Sequence, residues 1–332
     1  MTGTVIITGA NGSCALAFVE HILSAYPSYT LLATVRDASP SSDPNTARLD
    51  HIIESNKSSN AHIEALDLSK LSAVREFAAS TAQRIADGKL PPIKAIVCNA
   101  FTSSFSGQRF TDDGYEKTFQ VNHLSHYLLV LKLLGSMASN GRIVMLGSNT
   151  HYTDRPHPLY KLRAEFPQDI NELIRPDPDE KGQEHDRGFQ RYGNSKLANI
   201  MFMHDLSVKL SRDPKLSGIK VTAVDPGGLV DSRANEQQKL YVRFVFGIIY
   251  RLLPLINLFT KAVRSAASAG RDLAIVAVSD SWQGREGYYE IMSRAEEDAV
   301  SRDVEKRDVL WKACWEWTGL RKEEVALVNA AP

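Results

Sequence analysis

Cysteine is scarce in this sequence of 332 residues, which contains only Cys14, Cys98 and Cys314. Their odd number, their wide spacing and the lack of a C-x-x-C pair argue against a disulfide framework and against a zinc site. The sequence also opens on a strand-like run instead of the charged and apolar regions of a signal peptide. We therefore expect a protein of a reducing compartment, the cytoplasm.

Neither sign of charge is in excess, since 39 Lys and Arg residues balance 39 Asp and Glu residues. This balance gives no electrostatic reason to expect nucleic acid as a partner. Two close histidine pairs lack a third ligand nearby, so we expect no metal site; the pairs are His123 with His126 and His151 with His157. With 43% hydrophobic residues, the chain is long enough to bury a large α/β core.

A glycine-rich turn follows the first apolar run. The β-branched residues from Thr4 to Thr8 predict a strand, and apolar residues at helical spacing from Leu16 onward predict a helix. Strand, glycine turn and helix form a dinucleotide-binding unit, because glycines let backbone N–H groups approach a pyrophosphate at the positive helix end. An ordinary βα turn is the alternative. The candidate cofactor-binding residues here are Gly9, Asn11, Gly12, Ser13 and Cys14. For Cys14 we favour a small buried filler over a thiol of lowered pKa.

The second predicted strand, from Tyr29 to Val35, ends in Arg36-Asp37, where such a unit contacts the adenosine ribose. Arg36 offers a fork suited to the 2′-phosphate of NADP, which favours NADP(H) over NAD. In the alternative, Asp37 holds the free ribose hydroxyls of NAD and Arg36 is only a solvated strand end.

Three further predicted strands also end in polar residues, at the carboxyl edge where doubly wound sheets bind ligands. After the third strand, Asp67 accepts a hydrogen bond from an adenine amino group or caps the helix before Leu71. Ser148 after the fifth strand is a catalytic hydroxyl or a turn serine. The cofactor candidates at the third and fourth strand ends are Asp67, Leu68, Asn99, Ala100 and Phe101.

Tyr192 and Lys196 lie four residues apart in a segment with helical periodicity, so the phenol and the ammonium share one helix face. A neighbouring positive charge favours the phenolate, which would lower the phenol pKa and suit it to proton transfer at neutral pH. A capping tyrosine beside a solvated lysine is the alternative for this pair.

These motifs, in this order, resemble those of the short-chain dehydrogenase/reductases from about residue 2 to 290: T-G-x-x-x-S-x-A from Thr8, Asp67, Asn99-Ala100, Asn122, Ser148, Tyr192-x-x-x-Lys196 and Pro226-Gly227. The sequence around Tyr192 is similar to that of the family branch that contains retinol dehydrogenases, protochlorophyllide reductases and fungal biosynthetic-cluster reductases. The resemblance implies that Tyr192 donates the proton and Ser148 binds the carbonyl oxygen. It further implies that Lys196 holds the nicotinamide ribose and lowers the tyrosine pKa, and that Asn122 positions Lys196 through a water. Pro226, Gly227 and Leu229 would contact the nicotinamide.

Departures from the family pattern also occur. Ser13, Ala15 and Phe101 stand where the family usually has glycine, which leaves cofactor affinity less defined than cofactor class. Asp231 replaces the hydroxyl that usually follows the Pro226-Gly227 turn.

We predict one Rossmann-type α/β domain over residues 1–332, with a parallel sheet of about seven strands flanked by helices. Residues 153–188 form a charged insertion loop, and residues 292–332 form a C-terminal helical extension. The apolar segment 233–260 is a substrate lid or, less favoured, a membrane-surface helix. A membrane span needs ~20 apolar residues, and Arg243, Arg251 and Pro254 interrupt this run.

The predicted function is NADPH-dependent reduction of a small apolar ketone or aldehyde, such as an intermediate of secondary metabolism. One alternative is an NAD-dependent alcohol dehydrogenase of steroid or retinoid type. An alternative of another class is a non-redox nucleotide sensor or cyclase on the same fold. A homo-oligomer is compatible with the sequence.

Overall fold

The central strands are built from β-branched and aliphatic residues whose alternate side chains enter two separate cores. Val5 and Ile7 of the first strand contribute to one core, and Ile6 between them contributes to the other. The computed structural model describes residues 2–56, 60–157, 159–233, 235, 240–256, 258–260 and 262–332, and for Tyr241 only the backbone. Because both faces of the sheet are apolar, helices cover both.

The described strands, in chain order, are β1 (Thr4–Thr8), β2 (Thr30–Val35), β3 (Ala61–Ala65), β4 (Ile93–Cys98), β5 (Met137–Leu146), β6 (Lys220–Asp225), β7 (Gly228–Leu229), β8 (Val263–Arg264), β9 (Gly287–Glu290) and β10 (Ser293–Arg294). Eight of them form the central sheet in the order β10-β9-β6-β5-β4-β1-β2-β3. Seven of these strands are parallel, and β10 pairs antiparallel with β9. The carboxyl ends of the parallel strands therefore meet at one edge.

The described α-helices are α1 (Ser13–Ala25), α2 (Pro44–Ser55), α3 (Leu71–Ala86), α4 (Lys117–Phe119), α5 (Ser125–Leu133), α6 (Glu184–Ser211), α7 (Leu240–Ile256), α8 (Ala266–Val278), α9 (Ala299–Arg302) and α10 (Val304–Thr318). Buried residues of α1 and α8 enter one core. Those of α3, α5, α6 and α10 enter the other. This three-layer arrangement confirms the predicted doubly wound α/β fold and its seven parallel strands.

Two element starts depend on contacts with the rest of the chain. Helix α8 begins at Ala266, because β8 (Val263–Arg264) pairs with β7 and the Ser265 hydroxyl caps the helix. Strand β5 begins at Met137, which pairs with Ile93 of β4.

The predicted insertion, residues 153–188, is mostly irregular and holds one 3₁₀ turn, Ile170–Leu173; its Pro158 lies outside the described residues. It is less solvated than its charge suggested, since Tyr160, Ala164 and Ile174 are buried. Its last five predicted residues belong instead to α6, which starts at Glu184 and runs for 28 residues.

The apolar segment predicted as 233–260 contains α7, with Pro254 inside the helix. Residues 234, 236–239 and 257 of that segment lie outside the described residues. Within the described part of the chain, no helix is long and apolar enough to cross a membrane.

Candidate active site

A cleft of about 1110 Å³ opens at the carboxyl edge of the parallel strands. Apart from Asp37, the ligand of the NAD alternative, every residue proposed above to bind a cofactor lines it: Gly9, Asn11, Gly12, Ser13, Cys14, Arg36, Asp67, Leu68, Asn99, Ala100, Phe101, Tyr192, Lys196, Pro226, Gly227 and Leu229. Ser148 lines it as well, whereas Asn122 lies behind its wall. The fold thus gathers residues from six strand ends, those of β1 to β6, into one site.

The glycine turn after β1 has the shape expected of a phosphate cradle. Gly9 has a φ of 64°, and a Cβ built on it would lie 2.9 Å from Ala100, so a larger residue would meet both strain and a clash. Gly12 is the N-cap of α1 and provides no side-chain cap, and the first turn of the helix has no acidic residue. The N–H groups at this positive helix end are therefore suited to an anion such as a pyrophosphate.

Arg36 is exposed at the rim of the cleft, after β2. Beside it, Arg233 holds Asp43 through two bonds of 2.9 Å, and both of these residues line the cleft. Partial burial raises the pKa of Asp43, but the bonds to Arg233 and Asn45 and the nearby charge of Arg36 bring it below its ordinary value. Sequence reasoning missed this ion pair, because Asp43 and Arg233 are distant in the chain.

The two carboxylates weighed as adenosine contacts bond locally. Asp37 accepts from the Ser39 N–H at 2.9 Å and is not among the cleft residues. Asp67 accepts from the N–H and hydroxyl of Ser69. It does not cap α3, whose Leu71 N–H bonds Asp113 instead, so the capping alternative for Asp67 is wrong.

Ser148 and Tyr192 both line the cleft, and the Ser148 side chain lies close enough to Tyr192 to lower the pKa of the phenol. Close packing makes this possible: a Cβ at Gly193 would lie 2.6 Å from the carbonyl oxygen of Thr150, in the turn that Ser148 starts. Ser148 is also held through its carbonyl, which accepts from His151 Nδ1 at 2.7 Å. The Nε2 atom of His151 accepts from the Asp298 N–H, so this ring is neutral with Nδ1 protonated.

Burial raises the pKa of Tyr192, the charge of Asp225 raises it further, and the interaction with the Ser148 hydroxyl lowers it. The net direction is upward, opposite to the lowering expected from Lys196. The reason is geometric, because the Lys196 ammonium lies 5.4 Å from the centre of the phenol ring and both groups are desolvated.

Lys196 is 2% exposed and donates from Nζ to the carbonyl oxygen of Leu146 at 2.9 Å. Burial lowers its pKa to about 8, against the opposing charge of Asp225. Asp225, at the end of β6, thus acts on both Tyr192 and Lys196 and is a site residue to which sequence reasoning assigned no role. Its position at a strand end was the available indication.

Asn122 sits in a π-helical segment, Gln120–Leu124, between α4 and α5. Its side chain bonds the backbone N–H and carbonyl of Thr102, at 2.7 and 3.0 Å, and the Ser195 hydroxyl at 3.0 Å. The backbone carbonyl of Asn122 accepts a hydrogen bond from His126 Nδ1 at 3.0 Å, while His126 Nε2 lies 2.8 Å from the Thr8 hydroxyl. Irregular turns of this kind often occur at functional sites. The water-mediated link to Lys196 stays a prediction.

An aromatic wall forms another part of the cleft. Phe105 stacks on Phe189 with ring centroids 4.3 Å apart, and Phe101 lies 5.9 Å from the Tyr192 ring. His185 and Phe189 also line the cleft, yet neither was predicted. His185 lies seven residues before Tyr192 and Phe189 lies three before it, so both share its helix face. The sequence analysis did not detect this pattern, because it assigned residues up to 188 to the insertion loop and not to α6.

Cys14 is buried, and burial raises its pKa to about 12. This confirms the filler interpretation over a reactive thiol.

The chain is similar to known proteins in sequence and in fold. The short chain dehydrogenase family model matches residues 3–158, and that of the AcuH dehydrogenase domain matches residues 230–327. Short-chain dehydrogenase iccH of Talaromyces variabilis is 33% identical, covering 98% of each chain. Short chain dehydrogenase yanD of Aspergillus niger is 26% identical, covering 75% of this chain and 72% of its own. The crystal structure of the angucycline C-6 ketoreductase LanV with bound NADP has a TM-score of 0.59 at 16% identity, covering 88% of this chain and 97% of that one.

Proposed function

Because the chain belongs to the short-chain dehydrogenase/reductase family of oxidoreductases, we propose that it is an NADPH-dependent reductase of an apolar ketone or aldehyde. The observation that carries this proposal is that Ser148, Tyr192 and the buried Lys196 line the same cleft as the glycine turn. Reduction of a carbonyl by a bound dinucleotide requires a proton donor, a hydroxyl that binds the carbonyl oxygen and a site for the cofactor's phosphates. Tyr192, Ser148 and the glycine turn offer these three at one edge of the sheet.

Bound NADPH would supply the hydride to the carbonyl carbon. Tyr192 then gives its proton to the developing alkoxide, and a phenol of raised pKa is fully protonated for this step at neutral pH. Ser148 donates to the same oxygen and orients it toward Tyr192. Lys196, held by the Leu146 carbonyl, would bind the nicotinamide ribose, and Asn122 would hold the neighbouring Thr102 loop.

Arg36 supports NADP(H) over NAD, because an exposed guanidinium at the rim can pair with a 2′-phosphate. Asp37 is engaged with its own loop, which weakens the NAD alternative. LanV, a structural neighbour, was crystallised with NADP.

The aromatic wall of Phe101, Phe105 and Phe189 supports a flat, apolar substrate, because aromatic rings stack on one another and exclude water. The fungal short-chain dehydrogenases iccH and yanD are the relatives that support a role in secondary metabolism. The three cysteines are buried and free, which suits the cytoplasm.

An assay of NADPH oxidation against a panel of polyketide, terpenoid and steroid ketones tests the proposal, with NADH in parallel. We expect turnover of at least one flat ketone with NADPH, and loss of that turnover in Tyr192→Phe. Turnover only of alcohols with NAD would favour the dehydrogenase alternative. Cofactor binding without turnover in either direction would favour a non-redox member.

A further inference from the structure

We propose that the helix α7 docks on the surface of an anionic lipid bilayer. The contact is made by an exposed apolar stripe, which we call the α7 face: Leu240, Phe244, Val245, Ile248, Leu252 and Leu255, followed after the helix by Leu258 and Phe259. This proposal does not depend on the proposed function.

The α7 face is opposite the side on which the helix rests on the protein. Val242 and Leu253, eleven residues apart, are buried and mark the inner side, since eleven residues complete about three helical turns. Phe244 and Leu255, again eleven apart, lie on the outer side and are 71% and 61% exposed. Apolar side chains on both sides are unusual for a helix at a protein surface in water.

The cleft does not account for the α7 face. None of the described residues between 240 and 260 lines the cleft. The residues before α7 that do line it are Ser232, Arg233 and Asn235. The apolar surface of α7 is therefore available to a partner outside the protein.

The charge of the segment around α7 favours an anionic partner. Residues 237–271 contain no Asp or Glu, so all 39 acidic residues of the chain lie outside this stretch. The stretch carries six basic residues, Lys239, Arg243, Arg251, Lys261, Arg264 and Arg271. Arg264 is paired with Asp272, whereas Arg243 and Arg251 are exposed on α7. Basic side chains beside apolar ones match a bilayer surface, where anionic headgroups lie above acyl chains.

A second copy of the chain fits this surface less well. A two-fold contact through the α7 face would bring Arg243 and Arg251 against the same residues of the copy, with no acidic residue in the stretch to compensate. A membrane span is also excluded for α7, because its 17 residues are interrupted by arginines and Pro254. An interfacial position satisfies both the apolar and the basic groups.

Flotation of the full chain with phosphatidylcholine vesicles, with and without phosphatidylserine at about one part in three, tests the proposal. We expect binding to the anionic vesicles that falls at least about tenfold in Phe244→Ser/Ile248→Ser, because two large side chains no longer enter the bilayer. Arg243→Gln/Arg251→Gln should lower binding to the anionic vesicles to a similar degree and remove most of its salt dependence.

Val304→Ser/Val309→Ser is the matched control, since it removes two exposed apolar side chains from α10, which lies outside the basic stretch in the sequence. It should bind vesicles as the parent does, and circular dichroism should show that every variant is folded. Absence of vesicle binding by the parent chain overturns the proposal. A parent dimer in analytical ultracentrifugation that Phe244→Ser/Ile248→Ser dissociates, without lipid binding, assigns the face to a second copy. A raised KM for ketone in that variant, again without lipid binding, assigns it to a substrate lid.

Discussion

Arg191, the residue before Tyr192, holds Asp179 of the insertion in a buried two-pronged ion pair. The bonds run from Nη1 and Nη2 to the two carboxylate oxygens, at 2.5 and 3.0 Å, and the side chains are 8% and 6% exposed. Glu116, which caps α4, lies 3.7 Å from Arg191 Nε. Burial raises the pKa of Glu116. Arg191 thus ties the catalytic helix to the insertion and to the helix that leads to Asn122.

Replacing Asp179 by Asn should lower the free energy of unfolding by about 3 kcal/mol, because it leaves a buried guanidinium with only Glu116 nearby. It should also reduce kcat for ketone more than NADPH affinity, since Arg191 positions Tyr192. Urea unfolding and steady-state kinetics measure the two effects. Asp177→Asn, an exposed change two residues away, is the control and should alter neither. Equal stability of both variants would contradict a structural role for the ion pair.

Tyr192→Phe should keep NADPH binding and lose about 10²- to 10⁴-fold in kcat, because only the proton donor is removed. Cofactor titration by fluorescence and steady-state assays provide the comparison. Ser148→Ala should show a smaller loss, since Tyr192 remains. Turnover of Tyr192→Phe near the parental rate would rule out the phenol as the acid.

Arg36→Ala should weaken NADPH at least about tenfold while changing NADH little, because the deleted charge-assisted bond is made only to the 2′-phosphate. Dissociation constants for both cofactors test this. Arg48→Ala removes an exposed arginine of α2 that does not line the cleft, and should leave both affinities unchanged. Equal weakening of NADPH and NADH by Arg36→Ala would show that Arg36 does not recognise the phosphate.

Lys196, with its pKa lowered to about 8 by burial, should lose its charge as pH rises through that value. We therefore expect kcat/KM for NADPH to fall above about pH 8. Asp225→Asn removes a charge that raises this pKa, so the fall should move to lower pH. A pH profile of kcat/KM that Asp225→Asn leaves unchanged would contradict this assignment.

The free energy of unfolding changes with pH in the opposite direction to kcat/KM. Between the folded and the unfolded pKa of Lys196, the unfolded lysine binds more protons than the folded one. The contribution of Lys196 to the free energy of unfolding thus rises from about pH 8 to the ordinary lysine pKa.

Glu324 joins the C-terminal extension to α3 and α5, accepting from Arg75 and Lys132 at 2.8 Å each. Partial burial raises its pKa, but the bonds to Lys132 and the Arg321 N–H and the charge of Arg75 bring it down to about 2. The stability that it contributes is present above the ordinary glutamate pKa and is lost as pH falls toward 2.

The substitution Glu324→Gln should therefore cost about 2 kcal/mol near pH 7, and the difference from the parent should shrink steadily below about pH 4. Thermal unfolding across this pH range measures it. Its neighbour Glu323, whose side chain is 67% exposed, is the control, and Glu323→Gln should have no effect of this size. A difference that stays constant down to pH 2 would mean that the carboxylate charge is not the cause.

The sequence by itself determined the features that depend on local spacing. Runs of β-branched residues ending in polar ones placed the parallel strands and their ligand edge, because burial on both faces demands such runs. Gly9 and Gly12 marked the cradle through a backbone requirement, and the four-residue spacing of Tyr192 and Lys196 placed both on one helix face. These relations need no distant partner.

Only the tertiary structure decided what depends on burial and on contacts between distant residues. It set the direction of the Tyr192 pKa, because desolvation and Asp225 outweigh an ammonium 5.4 Å away. It also brought Asp43 to Arg233 and Asp179 to Arg191, and it started α6 early enough to aim His185 and Phe189 into the cleft. Solvent exclusion and close approach are properties of the packed chain, and spacing along the sequence does not contain them.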